Sequence, residues 1–374
     1  METKNRLVQT FIDLVSIDSE SKDEKQVHEY LKNVFTSLNL EIVEDDSMAK
    51  TGLGANNLIA KLRGSKNTEP LFFSSHTDTV SPGKGIEVIE KDGILYSKGD
   101  TILAADNKAG IAIMIEAIRR IQEEKIPTGL LEFVLSPGEE IGLIGAAALD
   151  MSLLTSTYGF VLDSDGPVGH VTIASPFLHM YDVKIIGRAA HAGMEPEKGI
   201  SAVSILAEAL SHIETGRLDA ETTANIGFIQ GGEASNIVMD ELLLKGEVRA
   251  ISEKRAQQLV QQMETSFKQA ADKFGGKVEI SANQMATGFR ITDDEPVMEL
   301  LKESTTHLGF DLVSEISGGG SDANIFNAQG KSTPNLSIGY ANMHTTQESV
   351  SIAEMEKAVT LVIELAKRTP AKRR

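Results

Sequence analysis

His76 and Asp78 stand two residues apart at the end of the apolar run Leu71-Phe72-Phe73-Ser74-Ser75. On an extended chain, residues i and i+2 share a face, so both side chains leave the strand end together. A metal-bound imidazole is commonly oriented by a carboxylate on its other ring nitrogen, and His-x-Asp supplies both groups. The plainer reading is a surface histidine beside a capping aspartate, and the pair alone does not separate the two. Further candidates lie downstream. Asp106 opens a helix in Ala104-Ala105-Asp106-Asn107-Lys108-Ala109-Gly110, and Glu139 and Glu140 follow Ser136-Pro137-Gly138. Asp163 follows Phe160-Val161-Leu162, and His344 ends Gly339-Tyr340-Ala341-Asn342-Met343-His344.

Two histidines and several carboxylates, in a chain without cysteine, suit zinc, or else cobalt or manganese. Two such ions about 3.5–4 Å apart need one shared carboxylate. In the doublet Glu139-Glu140, one carboxylate can bind metal while its neighbour takes a proton from an activated water. Each residue also has a bland role. Asp106 would be an N-cap, Glu139 and Glu140 first-turn acids favoured by a helix dipole, Asp163 a turn cap in competition with Asp165, and His344 a loop histidine. Their coincidence at strand ends favours the metal reading, because open α/β sheets place their sites at the carboxyl ends of strands.

The elements that must carry these residues follow from periodicity. Helices are expected over 4–16 and 23–39, and strands over 40–43, 57–62 and 71–73. Asp92-Gly93 marks a hairpin between 86–89 and 94–96. A helix over 107–125 sets Ile111, Met114, Ile115, Ile118 and Ile121 on one side. With strands over 132–135, 158–162 and 170–174, the alternation predicts an α/β fold, an open mixed sheet with helices on both faces. The order then becomes β-α-β-β-α-β over 178–186, 199–213, 224–229, 241–250, 253–273 and 277–282, a ferredoxin-like α+β unit. Helix 296–307, strand 311–314, helix 321–328, strand 335–338 and helix 352–368 resume the first pattern. The last helix opens on a capping box, Ser351-x-x-Glu354. A length of 374 residues suits two domains. The expected division is a discontinuous catalytic domain of 1–177 and 287–374 and an inserted domain of 178–286. The tail from Thr369 to Arg374 is expected to fray.

Composition narrows the partners. The net charge of −18 argues against nucleic acid and anionic membranes. Residues Met1 to Asn5 begin no apolar signal region, and no run reaches the ~20 residues of a membrane span, so a cytoplasmic protein is expected. Gly318-x-Gly320-x-x-Ala323 fits a dinucleotide fingerprint only loosely, lacking an acidic strand end about 20 residues on. Gly330-Lys331-Ser332 has Ile325 where a phosphate loop needs glycine. No Gly-x-Ser-x-Gly elbow is present, which removes a serine hydrolase. A metal-binding scaffold without catalysis leaves the extra carboxylate of the Glu139-Glu140 doublet unexplained.

With these residues in place, the sequence resembles the co-catalytic zinc peptidase and aminoacylase family, in its peptidase T-like branch. The motifs are Ser75-His76-Thr77-Asp78-Thr79, Ala105-Asp106-Asn107-Lys108-Ala109-Gly110, Pro137-Gly138-Glu139-Glu140-Ile141-Gly142 and the C-terminal His344, and the likeness spans essentially the whole chain. It implies that His76 and Asp163 hold one metal, that Glu140 and His344 hold the other, and that Asp106 bridges. It implies Asp78 orienting His76 and Glu139 as general base. The inserted domain corresponds to the family's lid, with His191 stabilising the oxyanion and Asn236 and Arg249 binding substrate. The loop Gly318-Gly319-Gly320-Ser321-Asp322 corresponds to one lining the substrate site, through Gly319 and Gly320. One departure is Asn107, where the family more usually has aspartate; it changes the charge around the bridge and removes no expected ligand.

The expected function is therefore hydrolysis of short peptides by a dizinc aminopeptidase of tripeptidase type. The alternative is a metal-dependent deacylase of N-acyl amino acids. Asp163, where the family's deacylases tend to carry glutamate, leans toward the peptidase. The expected protein is a monomer, or a homodimer through the lid domain.

Overall fold

The structure, a computed structural model, describes residues 5–372. Expectations touching residues 1–4 or 373–374 lie outside the described residues. The chain divides into two compact units. One contains the residues up to Ile173, Ile291–Glu315 and the chain from Ser321 onward; the other contains Ala174–Arg290 and Ile316–Gly320.

In the first unit, strand Leu71–His76 lies between Leu131–Ser136 and Gly159–Ser164, parallel to both. Asn335–Ser337 runs parallel to Gly159–Ser164, and His170–Ser175 is antiparallel beyond it. Leu58–Leu62 and then Glu41–Glu44 extend the other side antiparallel. The sheet is thus open and mixed. Every residue of Leu71–His76 is buried, as expected of a central strand covered on both faces. Phe73 stacks on Phe133 and Phe160 with ring centroids 5.9 and 6.0 Å apart. Its neighbour Phe72 points to the opposite face and meets Phe326 of helix Asp322–Ala328 at 4.8 Å. His76 pairs in register with Ser136, which brings the residues after both strands to one edge of the sheet.

Helix Ala105–Glu123 differs from its expected one-sided pattern. Its residues are buried on every side from Ala105 to Ile118, because it packs against helices Arg6–Val15 and Ile352–Arg368 as well as the sheet. Gly110 is required there: a Cβ at this position would lie 2.4 Å from Ser75 Oγ and 2.5 Å from the Leu162 carbonyl. The hairpin at Asp92-Gly93 forms with both residues at positive φ, 54° and 77°, as a tight primed turn demands. Tyr340–Ala341 and Ser349–Ser351 pair with each other and, through the latter, join Ile94–Ser97 of this hairpin. They close the loop that carries His344.

The second unit is an antiparallel sheet in the order Gly216–Asp219, Thr222–Gly231, Glu241–Ala250, Phe177–Ile186, Lys277–Ala286. Helices Ala202–Leu210 and Glu253–Phe274 cover one face around Val183, Ile185, Leu244, Ile205 and Phe267. Without its first short strand, this is the ferredoxin-like arrangement.

Four local expectations need correction. The segment Gly318–Gly320 groups with the second unit rather than the first, since Ser175 Oγ donates to the Gly319 carbonyl at 2.8 Å and the Ser317 N–H to the Ala174 carbonyl at 2.9 Å. The strand expected over 311–314 is Val313–Ile316. The box at Ser351 is only half made: its hydroxyl accepts the Glu354 N–H, but the Glu354 carboxylate accepts the Val168 N–H at 2.7 Å instead. The tail is not frayed up to Lys372, because Glu69 N–H donates to the Pro370 carbonyl and Lys372 N–H to the Asn67 carbonyl. Among the described residues, no helix is long and apolar enough to cross a membrane.

Candidate metal centre

The three parallel strands deliver most of the site. His76 is the last residue of Leu71–His76 and is 2 % exposed. Its Nε2 lies 2.8 Å from Asp106 Oδ1 and 3.7 Å from Asp163 Oδ1. Asp163 lies within strand Gly159–Ser164, which runs two residues further than expected. It is held in place by Asn335, whose side chain bonds both its N–H and its carbonyl. Tyr340 Oη donates to Asp163 Oδ1 at 3.3 Å.

Asp106 sits at the start of Ala105–Glu123 with non-helical dihedrals, after Ala104 in the left-handed region, and the Asp106–Asn107 peptide is cis. The N-cap is Ala104, so Asp106 does not play that role. While Oδ1 faces His76, Oδ2 lies 3.2 Å from His344 Nε2. The same His344 nitrogen is 2.9 Å from Glu140 Oε2. Glu139 and Glu140 occupy a turn between strand Leu131–Ser136 and helix Ile144–Ala148, so neither is a first-turn helix acid. Gly138, at φ +65°, lets the chain turn there; a Cβ on it would strike Leu53 at 2.5 Å.

Asp78 contributes more than expected. His76 Nδ1 bonds the Asp78 carbonyl at 2.9 Å, with the carboxylate at 3.4 Å. The carboxylate itself accepts the N–H groups of Glu139 and Glu140 at 2.9 and 3.2 Å and the Ser21 hydroxyl at 2.7 Å. Asp78 therefore fixes both the histidine and the turn that carries the two glutamates.

The donor set fits two divalent ions. His76, Asp106 and Asp163 offer ligand atoms within 4.8 Å of one another, and so do Asp106, Glu140 and His344, with Asp106 common to both groups. His76, Glu139 and Glu140 form a third such group, so distance alone does not separate the roles of the adjacent glutamates. The electrostatics point the same way. Burial and then the charge of Asp106 push Asp163 well above the usual carboxylate range. Burial likewise raises Glu139, opposed by His76 and reinforced by Asp322, Glu140 and Asp106. Burial alone would lower His76, but Asp163, Asp106 and Asp78 hold it well above the ordinary imidazole value. Hydrogen bonds to Asp106 and Glu140 raise His344 to about 10. Asp163 and Glu139, driven toward their protonated forms, beside two imidazoles drawn toward the charged form, make a pocket short of positive charge, while the two histidines hold Asp106 below the usual carboxylate range despite its burial.

Sequence reasoning missed three supports. Ser21 holds Asp78, Ser136 Oγ donates to the buried Asp322, and Glu348 binds the backbone around Asp106. Ser136 and Asp322 stand inside motifs already singled out and Glu348 lies four residues after His344, whereas nothing local marked Ser21.

In the second unit, Ala192 N–H donates to the Asn236 carbonyl at 2.9 Å and Val238 N–H to the Ala190 carbonyl at 2.9 Å, so His191 and Asn236 are neighbours. His191 Nδ1 accepts the N–H groups of Gly193 and Met194 at 3.2 and 3.1 Å. That leaves the proton of a neutral ring on Nε2, the form able to donate to an oxyanion. Arg249 is already engaged: Glu247, two residues before it on the same strand face, accepts from Nε and Nη2 at 2.9 and 3.1 Å, and Nη1 donates to the Gly318 carbonyl. In the loop, Gly319 N–H donates to Ser317 Oγ at 3.0 Å.

A model of peptidase family M20/M25/M40 matches residues 72–368. The uncharacterized protein YqjE of Bacillus subtilis is 44% identical over 363 residues, covering 97% of this chain and 98% of that one. Among solved structures, aminopeptidase PepT from Bacillus cereus superposes with a TM-score of 0.95 at 43% identity, covering 97% of each chain. A tripeptidase from Staphylococcus aureus gives a TM-score of 0.92 at 40% identity, again with 97% of each chain covered.

Proposed function

The chain belongs to peptidase family M20/M25/M40 and is a peptidase T-like metallopeptidase, and from that premise we propose that it is an aminopeptidase for short peptides, tripeptides foremost. The observation that carries the reading is the divided Asp106 carboxylate, one oxygen toward His76 and the other toward His344. His76 and Asp163 would hold one ion, Glu140 and His344 the other, and Asp106 would be shared; zinc suits this oxygen and imidazole set, as do cobalt and manganese. When bound, such ions supply Lewis acidity, activating water and polarising a carbonyl.

The chain's own residues do the rest. Glu139 takes the proton of the attacking water and returns it to the leaving amine. Its burial and its carboxylate neighbours raise its proton affinity, which suits a group that must gain and then release a proton near neutral pH. Asp78 keeps Glu139 in place through its backbone N–H. His191 donates from Nε2 to the developing oxyanion. Asn236, Arg249, Gly319 and Gly320 would bind the remainder of the substrate, with Arg249 receiving the peptide carboxylate.

The tripeptide assignment draws on the likeness to the tripeptidase and the aminopeptidase, at 40% and 43% identity over nearly full length. The test is a comparison of free di- and tripeptides, N-acetylated tripeptides and N-acyl amino acids with zinc, cobalt or manganese added. Free tripeptides should be hydrolysed fastest, and acetylation should remove much of kcat/KM. Faster hydrolysis of N-acyl amino acids would replace the aminopeptidase by a deacylase.

A further inference from the structure

The buried carboxylate of Glu348 lies beneath the metal centre without being offered to it. It is 1 % exposed. Its Oε2 accepts the N–H groups of Leu103 and Ala104 at 2.8 and 2.9 Å, and its Oε1 accepts that of Asp106 at 2.9 Å. These donors open helix Ala105–Glu123, where the first turn has no intrahelical acceptors. The usual remedy is a side chain just before the helix, but Ala104 stands at that position with φ 60°. A left-handed alanine is uphill by roughly 1–2 kcal/mol, so the three hydrogen bonds to one carboxylate are what hold the turn. The acceptor comes from more than 240 residues away.

The other end of the same segment is a candidate ligand. His344, at φ 62°, immediately precedes the turn that runs from Thr345 to Glu348. That turn is tied internally: Glu348 N–H donates to the Thr345 carbonyl at 3.1 Å, Thr345 Oγ1 to the Asn342 carbonyl at 2.7 Å, and Gln347 N–H to Thr345 Oγ1 at 3.2 Å. One end of the turn therefore presents His344 to Asp106 Oδ2, and the other grips the Asp106 backbone.

We propose that Glu348 is a positioning residue that sets the separation of Asp106 and His344, and so the affinity of the ion held by Asp106, Glu140 and His344. This rests on the metal-centre reading above. Glutamine at 348 keeps the shape but offers one acceptor oxygen, and its amide N–H groups face a backbone N–H. Loss of a hydrogen-bonding partner behind a ligand typically weakens metal binding by about 10–100-fold.

The experiment is calorimetric titration of the metal-stripped full chain with zinc, with cobalt absorption spectra, for wild type, Glu348→Gln and Glu132→Gln. Glu132 is the control: an equally buried carboxylate that binds the Ser156 and Thr155 N–H groups, away from the centre. Expected are two equivalents in wild type and in the Glu132 variant, and in Glu348→Gln one equivalent unchanged and one weakened 10–100-fold, with an altered cobalt band. Wild-type affinities and spectrum in Glu348→Gln overturn the proposal, whatever its Tm. If Glu348→Gln does not fold, Glu348→Asp, which keeps both oxygens on a shorter arm, is titrated in its place; one weakened equivalent supports the role. Unchanged binding, or failure of both variants to fold, overturns it. Wild type that binds no metal would instead remove the metal-centre reading itself.

Discussion

The Glu139 N–H donates to Asp78 Oδ1 at 2.9 Å. The residue expected to steady His76, a proposed metal ligand, thus also fixes the backbone of the proposed base. Asp78→Asn keeps one carbonyl oxygen where two carboxylate oxygens now serve Glu139, Glu140 and Ser21. The expected result is a loss of roughly 10–100-fold in metal affinity or activity, measured by zinc titration and steady-state kinetics. Wild-type behaviour in both would show that the carboxylate is dispensable there.

Metal removal should abolish activity, and zinc, cobalt or manganese should restore it. Elemental analysis of the active protein should find up to two divalent ions per chain. A chelator-treated sample that contains no metal and keeps full activity contradicts the proposed centre.

The adjacent glutamates should separate cleanly. Glu139→Gln should retain metal and lower kcat by about 10²–10⁴, the contribution typical of a general base. Glu140→Gln should lose metal, because it removes a charge from the group formed with Asp106 and His344. The opposite pattern would exchange their roles, since His76, Glu139 and Glu140 also lie within ligand distance of one another.

Glu247 occupies Arg249 through two hydrogen bonds, so a substrate carboxylate must compete with it. Arg249→Ala should raise KM with little change in kcat, the signature of lost ground-state binding. Glu247→Gln, which removes the competing charge, should lower KM. If neither constant moves on any peptide, Arg249 does not hold the substrate.

Stability should fall on mild acidification through His28. The ring is buried with Nε2 2.9 Å from Thr77 Oγ1, and burial, aided by Lys32, lowers its pKa to about 4 from 6.5. Between those values the unfolded chain binds a proton that the folded chain does not, so stability rises with pH across that window and is lost as pH falls through it. Denaturant unfolding of His28→Gln between pH 4 and 7 should show a shallower pH dependence than wild type; an identical slope would place the acid sensitivity elsewhere.

Local patterns in the sequence determined the alternation of strands and helices, the α+β character of the inserted segment and the choice of His76, Asp106, Glu139, Glu140, Asp163 and His344 as candidate donors. Those features are set within a few residues: side chains alternate along strands, apolar residues recur along helices, and polar residues stop a buried strand. Only the tertiary structure decided what depends on chain segments meeting in space. The parallel register of His76 with Ser136 brings the Glu139 turn onto the Asp78 carboxylate. Packing on all sides buries this helix from Ala105 to Ile118, so its apolar residues could not reveal a single face. Ser175 and Ala174 draw Gly319 and Ser317 into the second unit. Glu348 caps a helix far from it in sequence, because buried N–H groups require an acceptor and impose no limit on where in the chain it arises.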